Sequence, residues 1–266
     1  MMKVKDIGMT FVKCTRFLSV DTARIETHGV DGDREFILLD QHGAPMPSHH
    51  HGLFAPLAFH FDPATERLTL TFPDGRTVEG SGAGSGATMA LDYMGMRMVD
   101  VRDVDGNWNQ LLTEYAGRPV RMVRSIRAGG GIDVLPITFF TTASLRNLSA
   151  KMGQAVDARR FRANLVIDHD QPFAEDGWEG CTLRIGEVLL RVRSGVPRCV
   201  VTQCHPETGA NDMAVVPTLG KFRSRVHLPD GLMPSYSTPA FASYAEVLEP
   251  GVVKRGDHVQ LTAAPH

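Results

Sequence analysis

The apolar segments of this chain are short and are cut off, one after another, by turn-forming residues. That pattern restricts the chain to architectures assembled from short strands. REFILLD begins at Arg34, LAFHFD surrounds Phe59, and RLTLTF starts at Arg67. In RLTLTF, Leu68, Leu70 and Phe72 share one face of an extended chain, and Pro73-Asp74-Gly75 then turns it. MRMVDV around Val99, VRMVRS after Pro119 and LVID from Leu165 read the same way. In CTLRIGEVLLRVRS, Gly186-Glu187 separates two alternating runs and predicts a hairpin. The closing SYAEVLEPGVVKRGDHVQL predicts two or three strands broken at Pro250-Gly251 and Gly256-Asp257. Strands so short and evenly spaced point to barrels rather than to a βαβ sheet. The clearest helix is capped by Thr141-Thr142, carries Leu145, Leu148 and Met152 on one face, and stops at Gly153. Ser81 to Ala87 is rich in Gly and Ser and predicts a connecting loop; it lacks the Gly-Lys-Ser/Thr ending of a phosphate-binding loop.

With 266 residues, one long domain or two small ones are expected. Three successive glycines in Arg127-Ala-Gly-Gly-Gly-Ile132 are costly inside any regular element, so the boundary is placed there, giving 1–126 and 127–266. The expected fold class is therefore mostly β with few short helices, a β-barrel preceded by a smaller β-rich domain. A formal charge of -2 gives no reason to expect nucleic acid or an acidic membrane surface as partner. No apolar run approaches the length of a membrane helix, and MMKVKDIGMTFVKC does not read as a signal peptide. Cys14, Cys181, Cys199 and Cys204 are scattered in a chain too long to need disulfides, so reduced thiols and a cytoplasmic location are expected.

Cys199 follows Pro197-Arg198 at the end of an apolar strand. Arg198 beside it would lower the thiol pKa and favour the thiolate, the form that attacks or binds metal. A buried structural cysteine fits the same residues, and the residues alone leave both readings open. A zinc site from Cys199, Cys204 and His205 lacks the second close ligand pair that structural zinc takes. Of His49-His50-His51, at most His49 and His51 could face one ligand from an extended segment, and a polar loop is the plainer reading. Lys13 and Arg162 sit among apolar residues, where a charge either reaches solvent or meets an anion, and Arg34 closes the turn Gly29-Val30-Asp31-Gly32-Asp33-Arg34 that feeds the REFILLD strand. With the helix start at Thr142, Ala143 and Ser144, they offer what a bound phosphate takes: cations, hydroxyls and free backbone N–H groups. No Gly-x-Ser-x-Gly elbow or triad order supports serine catalysis, and Glu175-Asp176 reads as solvated.

Several segments together resemble one family, the MOSC family of molybdenum-cofactor proteins. VKDIGMTFVKC through GVDGDREFILLDQHGA resembles the N-terminal β-barrel domain that precedes a MOSC domain. ITFFTTASLRNL, the stretch from VDARRFRANLVIDHD to LRIGEVLLRV, PRCVVTQCHPETG and AEVLEPGVVKRGDHVQL resemble the MOSC domain itself. The resemblance implies a molybdopterin-type cofactor whose metal is ligated by Cys199. It also implies contacts from Lys13, Cys14, Arg34, Thr142 to Ser144, Arg162 and Asn164, with Arg198 adjoining. It implies an oxidoreductase that reduces N-hydroxylated small molecules with electrons from a separate donor protein, a flavin or iron–sulfur reductase. The alternatives are a persulfide sulfur carrier or sulfurtransferase using Cys199, with Cys14 or Cys204 resolving it, and a module that carries the cofactor without turnover. Two departures stand out: Cys14 replaces the family's usual serine, and MPSHHHG replaces a basic stretch.

Overall fold

The computed structural model describes residues 1–263. Its largest sheet has nine strands. Along its path lie Val259–Thr262, Thr182–Ile185, Val188–Pro197, Ser237–Glu249, Ile137–Thr141, Leu165–Asp168, Lys3–Met9 and Leu18–Val20, with Arg225–His227 added beside Ser237–Glu249. Every ladder is antiparallel except Ile137–Thr141 with Leu165–Asp168, which are joined through the helix Thr142–Met152. The hairpin at Gly186 forms as expected, with Ile185 opposite Val188 and Gly186 at φ +57°. Thr141 caps the helix through its side chain, which accepts from the Ser144 N–H, and Gly153 ends it in the left-handed region.

The expected barrel is corrected: the sheet does not close. Lys3–Met9 gives its edge to Leu18–Val20 over Ile7 to Met9, and no ladder joins it to Val259–Thr262. A barrel requires a continuous ladder at the seam, and here the contact is limited to the bridge Lys3–His258 and the backbone hydrogen bonds between Met2–Val4 and Gly256–Val259.

The other sheets belong mainly to the first half. Phe36–Leu39, Arg121–Ser125, Arg97–Val104 and Gly84–Tyr93 form one, and Ala58–Asp62, Arg67–Thr71 and Thr77–Ser81 another. Leu68 and Leu70 are fully buried beside Phe36, Phe59 and Trp108, each leucine contributing about 1.5–3 kcal/mol. The loop expected over Ser81 to Ala87 is mostly strand: only Gly82 and Ala83 lie outside one, and Gly84 and Ser85 pair with Val104 and Asp103. The misfit is absorbed by a register shift and by Gly86 at φ +70°, so the ladder wins over local composition.

Two features cross the position chosen as a boundary. Lys3–Met9 and Thr22–Glu26 pair with Leu165–Asp168 and Gly251–Lys254, so the first segment is built into the sheets of the second half. The glycine run is packed tightly. A Cβ on Gly131 would stand 2.3 Å from the Arg34 carbonyl oxygen, and one on Gly130 would stand 2.0 Å from Ser125 Oγ. Its carbonyls accept from Lys13, Tyr93 and Arg97, at 3.2 and 2.6 Å for Lys13 and Tyr93 on Gly131. The glycines serve close approach. Among the described residues no helix is long and apolar enough to cross a membrane.

Candidate functional site

The chain after Met9 leaves its strand and runs through Lys13 and Cys14 to Phe17, while Gly32 to Arg34 turns toward it. Asp33 fastens the two. Its buried carboxylate accepts from Thr10 N at 2.8 Å, from Arg34 Nη1, and from Asn164 Nδ2 at 2.9 Å. Asn164 in turn donates to the Gly8 carbonyl and accepts from Thr138 N, tying in the large sheet. Arg34 Nη2 donates to the Arg162 carbonyl at 2.9 Å, and Arg162 Nη1 donates to the Thr15 carbonyl at 2.7 Å. Both guanidiniums lie over the ring of Phe17. Lys13, Cys14, Arg34, Arg162 and Asn164 therefore do come together, from segments 150 residues apart in sequence.

Three of these residues, Cys14, Arg34 and Arg162, hold φ of +79°, +55° and +50°. Side chains with a Cβ adopt that region at a cost, and such positions cluster where function fixes the backbone.

The charges do not balance within the chain. Lys13 pairs with Asp133, and Arg34 with Asp33. Arg162 and Arg198 touch only carbonyl oxygens: Arg198 donates to Phe241 at 2.6 Å and to Phe161 at 3.1 Å. In each, Nη2 is buried without a partner. Burial pushes both guanidiniums down to about 10, so at neutral pH both remain charged. Two buried positive groups with open donors are an unfavourable arrangement until an anion supplies the missing acceptors.

Cys199 stands half-buried ahead of the short turn Val200–Gln203, within electrostatic reach of Asp133, Arg198 and Lys13. The thiol pKa runs opposite to the sequence expectation. Burial pushes it up, with Asp133 adding to the rise, and the Val201 N–H, Arg198 and Lys13 only partly pull it back. Burial likewise pushes the Cys14 thiol up to about 12, against the pull of Lys13 and Arg162. The surroundings turn neither thiol toward the thiolate; a bound metal would displace the Cys199 proton.

The helix start is used otherwise than expected. The Glu175 carboxylate, 1% exposed, accepts from Thr141 N and Thr141 Oγ1, and Ser144 Oγ accepts from Phe173 N. Thr142 Oγ1 donates to Asp168, and Ala143 is packed away. Asn164 adjoins Thr138, near the start of the strand that Thr141 ends. The polar side chains of Thr141, Thr142 and Ser144 are engaged within the chain, and Glu175, expected to be solvated, is an internal cap.

Sequence reasoning missed Asp33, Asp133 and Tyr93, and read His51 only as part of a polar tract. His51 lies in the short helix His51–Phe54, with Nε2 3.0 Å from the Met46 carbonyl, and burial followed by Lys13 holds its imidazole down to about 4. The rings of His49 and His50 meet at a tilt, with centroids 4.0 Å apart, and His50 meets Arg118; the tract is turn and helix rather than loop. The Gly-Asp-Arg stretch held the signal for Asp33; Asp133 follows a glycine run and gave none. Among the described residues no group of three or more His, Cys, Asp or Glu side chains is arranged to hold a metal ion by itself. A metal that arrives with its own sulfur ligands would need fewer from the protein than such a group supplies.

A model of the MOSC domain matches residues 129–260. Mitochondrial amidoxime-reducing component 1 of Homo sapiens is 32% identical over 130 residues, covering 48% of this chain and 37% of that protein. Mitochondrial amidoxime reducing component 2 of Rattus norvegicus is 34% identical over 130 residues, with the same coverages of 48% and 37%. The match thus spans little more than a third of these relatives' length. The crystal structure of the YUAD protein from Bacillus subtilis aligns over 100% of this chain and 98% of that one, at 12% identity and a TM-score of 0.47, a likeness too slight to argue from.

Proposed function

Because this chain carries a MOSC domain over residues 129–260, homologous to the mitochondrial amidoxime-reducing components, we propose that it is a molybdenum-cofactor oxidoreductase acting on N-hydroxylated small molecules. The observation that carries the reading is the pair of buried guanidiniums, Arg162 and Arg198, whose open Nη2 groups face no carboxylate. A phosphorylated pterin is an anion rich in acceptors and matches that deficit.

In this reading Arg162, Lys13 and Arg34 hold the phosphorylated pterin, and Asn164 and Asp33 fix Arg34 and the loop behind it. Cys14 contributes a neutral thiol where a hydroxyl would otherwise stand. Arg198 offsets the charge that Cys199 acquires when it gives up its proton to ligate the metal. Thr142 to Ser144 shape the sheet end and make no contact. When bound, the cofactor supplies a metal centre able to accept an oxygen atom and two electrons. The overall change is an amidoxime, two protons and two electrons giving an amidine and water. The electrons come from a separate donor protein, a flavin or iron–sulfur reductase.

The test is turnover of benzamidoxime with a reduced viologen as donor. Wild type is expected to produce benzamidine, and Cys199→Ala to produce none while keeping the wild-type circular dichroism spectrum. Product formation by Cys199→Ala at the wild-type rate would remove the ligand role.

A further inference from the structure

The ladder between Arg97–Val104 and Arg121–Ser125 stops at Val101 opposite Ser125, and the Ile126 N–H then donates to the Asp100 carbonyl at 2.9 Å. Past that bond the chain leaves the sheet as the loop 127–131. A cavity of about 280 Å3 stands between strand and loop, lined by Arg97, Met98, Asp100, Arg127 and the stretch Ala128 to Gly130. Its size is close to the lower end, about 300 Å3, of small-molecule sites. The backbone groups of the loop are unevenly used. The carbonyls from Gly129 to Asp133 all accept: Gly129 from the Ile132 N–H, Gly131 from Lys13 and Tyr93, and Gly130, Ile132 and Asp133 from the Arg97 guanidinium. None of the N–H groups from Arg127 to Gly131 donates to an acceptor among the described residues. Peptide N–H groups left open together on one short loop suit an anion. The loop is also fixed in place, since Gly130 approaches Ser125 and Val99 too closely for a Cβ. The side chains add to the same charge. Arg97 donates to carbonyl oxygens alone and lies over the Tyr93 ring, and among the described residues exposed Arg127 pairs with no carboxylate. Asp100, the one carboxylate in the lining, leaves a net positive charge.

We propose that this cavity binds the phosphate group of a small molecule, held by Arg127 and the open N–H groups of Ala128 to Gly130, with Arg97 adding its charge. A phosphate brings three acceptor oxygens to such a set of donors, where a carboxylate brings two. Exposed Met98 gives the remainder of the ligand an apolar wall, and Asp100 disfavours further negative charge. The residues that line the cavity are separate from those assigned above to the cofactor and the metal, so the proposal does not rest on the oxidoreductase reading.

The test is a titration of inorganic phosphate into the full-length protein by calorimetry, which requires no turnover. The protein is produced in a host that makes the cofactor. Arg127→Gln is expected to weaken phosphate about 10-fold, the worth of one charge-assisted hydrogen bond. Because Arg127 is exposed, this variant should keep the wild-type urea midpoint. Asp100→Asn, which takes the carboxylate out of the lining, is expected to tighten phosphate, and Arg162→Gln to leave this binding unchanged. A general loss of structure would not move Arg127→Gln and Asp100→Asn in opposite directions. Acetate at the same ionic strength is expected to bind more weakly than phosphate; equal binding would overturn the assignment to phosphate. Wild-type protein that binds no phosphate, or an affinity unchanged by Arg127→Gln, would overturn the site. Phosphate binding that Arg162→Gln alone abolishes would also overturn it, by assigning the anion to the basic cluster near Cys199. Binding that behaves as expected in protein free of molybdenum would leave this site standing and count against the oxidoreductase reading alone.

Discussion

Asp33→Asn is the substitution whose consequence the geometry fixes most closely. The carboxylate is buried and receives three donors, the Thr10 N–H, Asn164 Nδ2 and Arg34 Nη1. An asparagine keeps one carbonyl oxygen, which can serve Thr10, and turns an NH2 group on the remaining donors. A buried donor left opposed costs about 1–3 kcal/mol. Breaking the ion pair leaves Arg34, whose side chain is 11% exposed, without a counter-charge, at about 3–5 kcal/mol. The two costs overlap because they share Arg34, so the net loss is about 3–4 kcal/mol. That is a large part of the roughly 5–15 kcal/mol by which a folded domain is held. Urea denaturation followed by tryptophan fluorescence reads it as a fall of about 1–2 M in midpoint with an unchanged slope. Inorganic phosphate should restore more stability to the variant than to wild type, because removing one carboxylate leaves three cations of the cluster unpaired instead of two. A midpoint within about 0.3 M of wild type would refute the idea that Asp33 clamps the basic cluster.

Two other expectations follow from the same geometry. Glu175→Gln removes the charged cap at Thr141 and should cost about 1–2 kcal/mol in urea while leaving molybdenum per folded chain unchanged; molybdenum loss would return the helix start to the cofactor site. The imidazole of His51 is held down to about 4 in the folded protein, so the unfolded chain takes up the proton first as the pH drops. Its contribution is present above pH 6.5 and is lost between about 6.5 and 4. The stability of wild type should therefore fall by about 2–3 kcal/mol more than that of His51→Gln between pH 7 and 4.5, compared by urea midpoints; parallel profiles would contradict the placement of His51 beside Lys13.

What was legible in the sequence was local. The Gly186 turn, the caps Thr141 and Gly153 and the alternation of Leu68 and Leu70 are each set by neighbours a few residues away, and each forms as read. Lys13 and Arg162 were legible as anomalies, charges set among apolar neighbours. What could not be read depends on partners far along the chain. Nothing near Lys13 announces Asp133, and nothing near Asp33 announces Asn164. The helix start looked like a free anion site because its occupant, Glu175, arrives from 34 residues beyond Thr141. The Ser81 to Ala87 stretch has a loop's composition, yet Arg67–Thr71 and Arg97–Val104 supply ladders that leave only Gly82 and Ala83 outside a strand. Barrel closure failed for a similar reason, since it depends on which strand takes the free edge of Lys3–Met9.

The central claim is that buried positive charge around Cys199 exists to hold a phosphorylated, metal-bearing pterin. Its most direct test is molybdenum per chain, by mass spectrometry, in protein produced in a host that makes the cofactor. The wild-type protein should carry close to one molybdenum per chain, and Arg162→Gln should carry less than about a tenth of that while keeping its fold. Wild-type protein that is fully folded and free of molybdenum and pterin, or an Arg162→Gln variant that retains both, would contradict the account.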